Sequence, residues 1–377
     1  MQIFIVIALV MMLIAIQLIV YKRLALHGIF AGIEFSTPIA ECGETITISE
    51  KIENRKRLPL VLLILRFEAP RELHFPDMTN TALSDLYYRE DLISLGGWKR
   101  HFRHIQVRCR KRGYYEFKRL SVTTCDPLML VKIYGFFSSD STLTVLPRFL
   151  NTPDIEALFM SSIGERISRK SSVSNPFTFA GIREYQPWDS FGRINWKASA
   201  RKGEWMVNTP HCTICPEITI VLNVARYSPN RSTDLIEKAI SLAYSFVAFA
   251  VRESLPVSII SNSRDILTEE SISKPHGSGP EHLRDIGLSL SRIDLNKTDT
   301  GFDGLFESLP FRRTVSQWLI LSPNTDASVQ ATLLRHVKEG TGLVWIVPRN
   351  ADQPAPSILP ELVTHTVLWE ERYEAHS

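Results

Sequence analysis

ITIVLNVA (218–225), STDLIEKAISLAYSFVAFAVRES (232–254) and PVSIIS (256–261) follow one another closely and decide the fold of the C-terminal half. The first and third are short apolar runs rich in β-branched residues, the pattern of a strand buried on both faces. The segment between them predicts a long, largely apolar helix, with Ser232 or Thr233 placed to cap it. The alternation continues downstream. GPEHLRDIGLSLSRI (279–293) predicts a helix and TVSQWLILS (314–322) a third strand; DASVQATLLRHVKEG (326–340) predicts a helix closed by Gly340, and GLVWIVP (342–348) a fourth strand. Such an order implies a doubly wound, mostly parallel sheet with helices on both faces. Ligands of such sheets sit beyond the carboxyl ends of the strands, so the loop after Val224 is the first place to look for chemistry.

Upstream, the periodicity changes from helical to strand-like. ETITISEKIEN (44–54) alternates at Ile46, Ile48 and Ile52, and PLVLLILRFEAP (59–70) is a nearly continuous apolar strand between prolines. In HIQVRCRKRGYYEF (104–117), Ile105, Val107 and Cys109 share one face, while Arg108, Arg110 and Arg112 form a basic stripe on the other. STLTVLP (141–147) closes the region. Short strands joined by turns predict a β-sandwich-like domain over 24–148. The next stretch, 149–180, centres on SSIGERISRKSSVSNP (161–176); it is polar and Ser/Arg-rich and reads as a linker or mobile loop.

The first residues carry a different signal. From Ile3 to Val20 the run IFIVIALVMMLIAIQLIV has no charge and a single polar residue, Gln17. At ~1.5 Å per residue it reaches roughly the ~30 Å of a bilayer's apolar layer. A cleaved signal peptide and a buried helix are the alternatives, but the run exceeds the usual ~7–15-residue signal core and no small-x-small cleavage site follows. The expectation is an anchor over 1–23, and Lys22 and Arg23 behind it predict a cytoplasmic body.

The whole 377-residue chain is 44% hydrophobic and 22% charged, with a net charge of +3, so no polyanionic partner such as nucleic acid is called for. Five cysteines make no disulfide framework, and Cys212 and Cys215 lack the second pair that a zinc site needs. Gly277 and Gly279 in HGSGP lack the Lys-Ser/Thr of a phosphate loop. No cofactor is expected.

The remaining concentration of polar residues is GIREYQPWDSFGRINWKASARKGEWMVNT (181–209). DSFGRINWKASARKG (189–203) has the marks of a short helix, with Asp189 or Ser190 at the N-cap, Gly203 at the stop, and Arg193, Lys197 and Arg201 along one basic face. Asp189 is spaced to pair with Arg193. Helix chemistry leaves the crowd of Arg183, Glu184, Tyr185 and Asp189 unexplained.

These residues carry a resemblance. Gly181, Arg183, Tyr185, Pro187, Asp189, Arg193, Ile194, Asn195, Trp196, Lys197, Ala200 and Arg201 resemble the signature of the domain of unknown function 58 family, in which Trp188 replaces a usual glycine. CGETITISEKIENRKRLPL (42–60) and RGYYEFKRLSVTTCDPLMLV (112–131) resemble that family's upstream elements. LNVARYSPN (222–230) is similar in position to the Asp-x-Ser-x-Ser cation loop of a von Willebrand A domain, with Asn223, Ala225 and Tyr227 at the ligand places. A hard cation prefers charged oxygens, so this loop reads as one that has lost its metal.

The resemblance implies a membrane-anchored α/β plus all-β protein: one transmembrane helix, a sandwich-like domain, and a von Willebrand A-like domain that shares 181–377 with the signature. It also implies an adaptor or scaffold working with a MoxR-type AAA+ ATPase, and with a transglutaminase-like membrane protein, at a lipid membrane. In that reading the signature is a structural joint. Two alternatives stand beside it: an enzyme with a site around Arg183, Tyr185 and Asp189, and a degenerate metal-dependent ligand-binding domain.

Overall fold

The computed structural model describes residues 2–75, 81–83, 86–171, 179–186, 189, 191–210, 217–226, 232–298, 301–307, 316–351 and 354–371. The chain divides into two compact units, Met1–Leu146 and Pro147–Ser377.

The first unit opens with the helix Gln2–Leu24, which is long and apolar enough to cross a membrane. Its last turn is built into the unit. Tyr21 is buried and its hydroxyl donates to the Pro59 carbonyl at 3.3 Å, while Ala25, just past the helix, is fully buried. Lys56 Nζ donates to the carbonyls of Ala25 and His27, the latter at 2.8 Å. A cation there complements the negative end of the helix dipole.

Two sheets follow. One runs in the order Ile29–Phe35, Thr45–Asn54, Arg100–Cys109, Leu73–His74, with every neighbour antiparallel. The other runs Ile39–Glu41, Lys132–Leu146, Gly113–Cys125, Leu60–Pro70, Leu86–Leu95, Thr81–Leu83; its first pair is parallel and the rest antiparallel. The alternation read from the sequence turns Ile46, Ile48, Ile52, Ile105 and Val107 inward. They share one core with Phe67, Val122 and Val145 of the second sheet, and Phe35 stacks on Phe117 across the two at 4.9 Å. This is a β-sandwich-like arrangement. The basic stripe does not hold: the strand stops at Cys109, Arg108 and Arg110 are exposed, and Arg112 is buried.

The second unit corrects the linker expectation. Residues Pro153–Ser171 form an α-helix, not a loop. Ile155, Phe159 and Ile163, at i, i+4 and i+8, are buried, and Phe159 packs on Phe246 and Phe249. The Ser/Arg-rich composition concealed an apolar stripe that begins upstream of it.

The α/β part holds seven described strands rather than the four expected. Val257–Asp265, Glu217–Leu222, Ser316–Leu321, Leu343–Arg349 and Thr366–Glu370 are parallel in that order. Ser271–Gly277 and Ile293–Thr298 pair antiparallel with Val257–Asp265. Helices Ser232–Arg252, Pro280–Ser291 and Ala327–Lys338 connect the strands, with short helices at Phe302–Glu307 and Pro360–Val363. The strand order reverses beside Glu217–Leu222, which places a crevice beyond the ends of that strand and Ser316–Leu321. A separate hairpin, Phe179–Glu184 with Met206–Pro210, carries the signature residues on its first strand and in the connection that follows.

Candidate functional site

Within the signature hairpin, a turn at Gln186 folds the chain back so that Asp189 lies beside Arg183. The two guanidinium nitrogens Nη1 and Nη2 each donate to one carboxylate oxygen at 2.6 Å, a bidentate pair. The Gln186 amide donates to the same carboxylate at 2.8 Å, and the Asp189 amide returns a bond to the Gln186 carbonyl at 2.9 Å. The Asp189 side chain is 1% exposed and that of Arg183 is 37% exposed, so the anion is sealed and the cation reaches water. Hydrogen bonding to Asp189 holds the Arg183 guanidinium above its ordinary pKa.

The helix expected from Asp189 onward begins later. Phe191–Arg193 is a 3-10 turn, and the α-helix spans Trp196–Lys202. Its N-cap is Asn195, not Asp189 or Ser190: Asn195 Oδ1 accepts from the Ala198 amide at 3.0 Å. Asn195 Nδ2 donates to Asn208 Oδ1 at 2.6 Å, tying the cap to the returning strand. Gly203, at φ 75°, closes the helix as expected. Ser199 Oγ accepts from the Met206 amide at 2.9 Å and so fastens the helix to the same strand. Because Arg193 lies in the 3-10 turn, the three-residue basic face shrinks to Lys197 and Arg201, both exposed. Gly181 pairs with Thr209 in the hairpin, and Ile194 bridges to Val207. Pro187 and the side chain of Arg193 lie outside the described residues.

Tyr185 meets Trp205 edge-on at 5.4 Å and Phe191 at 5.8 Å, making a three-ring cluster. Phe191, Trp205 and Trp196 nevertheless remain more than half exposed, and no residue of the short helix is buried. Ala200 too is on its solvent side. An open cleft of about 530 Å³ lies beside the pair, lined by Arg183, Glu184, Gln186, Lys202, Gly279 and Pro280 among others. Lys202 is bound to Glu184 at 3.0 Å, which raises its pKa. Both cations on the cleft wall therefore already have carboxylate partners.

The crevice end of the sheet is filled differently. Asn223 Nδ2 donates to Ser322 Oγ at 2.9 Å, and Asn223 Oδ1 accepts from Asn262 Nδ2 at 2.8 Å and from the Ala225 amide at 3.1 Å. Asn262 Oδ1 in turn accepts from the Val224 amide at 2.9 Å. Asn223, Asn262 and Ser322 are all buried, and each sits just past or within the end of a neighbouring parallel strand. The one Asn223 oxygen that a cation could use already accepts two hydrogen bonds. Ala225 supplies no side-chain donor, and Tyr227 lies outside the described residues.

Sequence reasoning passed over Gln186, Phe191, Trp205, Asn208, Asn262 and Ser322. The aromatic spacing of Tyr185, Phe191 and Trp205 was a usable signal for the ring cluster. Nothing local links Asn223 to Asn262 and Ser322, which come from separate strands.

No family model matches the chain. It is similar to the uncharacterized protein YeaD of Bacillus subtilis (strain 168), with 27% identity over 141 residues. The match covers 36% of this chain and spans about a third, 33%, of that relative's length. Two solved structures similar in part are the CARDB domain of the PF1109 protein from Pyrococcus furiosus and a non-cellulosomal cohesin from Archaeoglobus fulgidus. Each is 13% identical and covers 31% of this chain and 91% of its own, with TM-scores of 0.21 and 0.23. Scores so low carry no weight beyond that.

Proposed function

We propose that this chain is a membrane-anchored adaptor of the domain of unknown function 58 kind, with a von Willebrand A-like C-terminal domain that has given up its cation. It works beside a MoxR-type AAA+ ATPase on membrane-associated clients, and its signature segment is a joint. The observation that carries this reading is the state of Asp189. Its two oxygens are taken by Arg183 and the Gln186 amide and its side chain is 1% exposed, which suits an organiser of the loop better than a proton acceptor. The enzyme reading around Arg183, Tyr185 and Asp189 is weaker for the same reason.

The von Willebrand A-like reading draws support from the parallel strand order with an antiparallel edge, and from the Asn223 network standing where the resemblance puts the cation loop. Uncleaved anchoring draws support from Tyr21, since removing the helix would strip it from the core. The choice of ATPase rests on the signature resemblance alone. The exposed rings of Phe191, Trp196 and Trp205 beside Lys197 and Arg201 offer it a surface in which apolar anchors are rimmed by positive charge.

Capture of a MoxR-type ATPase by the detergent-extracted full chain tests the proposal. Lys197→Glu together with Arg201→Glu should leave the unfolding temperature within a degree or two of the parent, because exposed charges are worth about 1 kcal/mol or less. The same pair should abolish capture. Undiminished capture by a correctly folded double variant would remove the proposed docking face.

A further inference from the structure

We infer that the turn Pro127–Leu130 is a second membrane contact, dipping into the apolar layer beside the N-terminal helix. The inference rests on the reading of Gln2–Leu24 as a membrane span.

The turn joins the strands Gly113–Cys125 and Lys132–Leu146 of the sandwich. Its four residues, Pro-Leu-Met-Leu, are all exposed, with Leu128, Met129 and Leu130 at 52%, 65% and 60%. A run of apolar side chains held out at a turn calls for a partner, because turns facing water are ordinarily polar.

The geometry within the unit says what the partner is. Gln17 Nε2 of the helix donates to Asp126 Oδ2 at the base of the turn, at 3.4 Å. Farther along the hairpin, Gly135 is pressed against Leu26, so closely that a Cβ would stand 2.6 Å from Leu26 Cδ1. The hairpin therefore runs beside the end of the helix, and its turn points back toward the helix N-terminus. Gln17 lies five residues before Lys22, about 7 Å at the helical rise. With Lys22 and Arg23 at the headgroups, the base of the turn reaches that depth and its tip is placed to go farther.

The backbone is prepared for such a setting, where unbonded polar groups are costly. Asp126 Oδ1 accepts from the Val131 amide at 2.7 Å and Oδ2 from the Leu128 amide at 3.0 Å. The Met129 amide donates to the Asp126 carbonyl at 2.9 Å and the Asp126 amide to the Val131 carbonyl at 3.2 Å. Gln17, the only polar side chain in the apolar run, thereby partners the carboxylate that organises the turn. Lys132, exposed where the hairpin leaves the turn, is placed to reach the headgroups as such residues do at a membrane boundary.

Photo-crosslinking on the full chain, reconstituted in phosphatidylcholine–phosphatidylglycerol vesicles, decides the matter. p-Benzoylphenylalanine would replace Met129 or, in a second variant, Leu128. Leu9 in the helix is the positive control and Phe102, exposed on the other sheet, the negative control. Lipid-adducted peptide is expected from 129, 128 and 9 and not from 102. Adducts at 9 with none at 128 or 129 would overturn the inference and leave the span standing. No adduct at 9 would overturn the span, and the inference with it.

Discussion

The Arg183–Asp189 pair and the Asn223–Asn262–Ser322 network both tie loops of the C-terminal unit, but they use opposite chemistry. The first is a full ion pair whose cation still touches water; the second is neutral and closed on every side. An ion half in water is partly resolvated when its partner is lost, whereas buried amide and hydroxyl groups have no such refuge. The difference teaches that the formal charge of a cluster is a poor guide to how much of the fold depends on it.

Asn223→Ala should be the most damaging change. It leaves the Asn262 Nδ2 and Ala225 N–H donors without an acceptor and costs Ser322 a donor, about 3–4 kcal/mol at ~1–3 kcal/mol for each stranded buried group. Chemical denaturation of the detergent-solubilised chain, followed through its tryptophans, measures it. Next comes Asp189→Ala. Breaking a fully buried pair costs ~3–5 kcal/mol, but the exposure of Arg183 brings the expectation down to about 2 kcal/mol by the same assay. Should Asp189→Ala prove costlier than Asn223→Ala, the ranking fails and the signature holds more of the unit than its exposure suggests. If Asp189→Ala is as stable as the parent yet inactive in capture, the joint reading fails and a true site must be sought there. Asn195→Ala sharpens the comparison at the low end. Loss of an N-cap costs about 1 kcal/mol, and here the hydrogen bond to Asn208 goes too. Hydrogen exchange should show the loss at Ala198 and Ser199 while the central strands stay protected.

What could be read from sequence followed the reach of the physical signal. Glu217–Leu222 and Leu343–Arg349 were visible because a strand buried on both faces is apolar throughout. Ser271–Gly277 escaped because, as an antiparallel edge with mostly exposed side chains, it has no such run. Helix Pro153–Ser171 escaped because its buried stripe of Ile155, Phe159 and Ile163, spaced four apart, runs into a Ser/Arg-rich stretch. In the signature, helical spacing gave Asp189 the cap position and Arg193 as its partner. The chain instead turns back at Gln186 and brings Asp189 to Arg183, six residues upstream. Such a turn is settled by hydrogen bonds that no periodicity encodes. The Asn223 network lay beyond reach altogether, since Asn262 and Ser322 stand 39 and 99 residues from Asn223 in the chain.

One consequence concerns the way the first unit is hung. Membrane helices are often joined to their soluble parts by a flexible tether, whose slack lets the cargo swing and tumble. Here there is no slack. Tyr21 is inside the sandwich before the helix has finished, the buried Ala25 follows at once, and Lys56 clamps the carbonyls of Ala25 and His27 just past the helix. In a bilayer the sandwich and the span would tilt together as a single lever, and a sideways pull on the sandwich would be felt as torque on the helix.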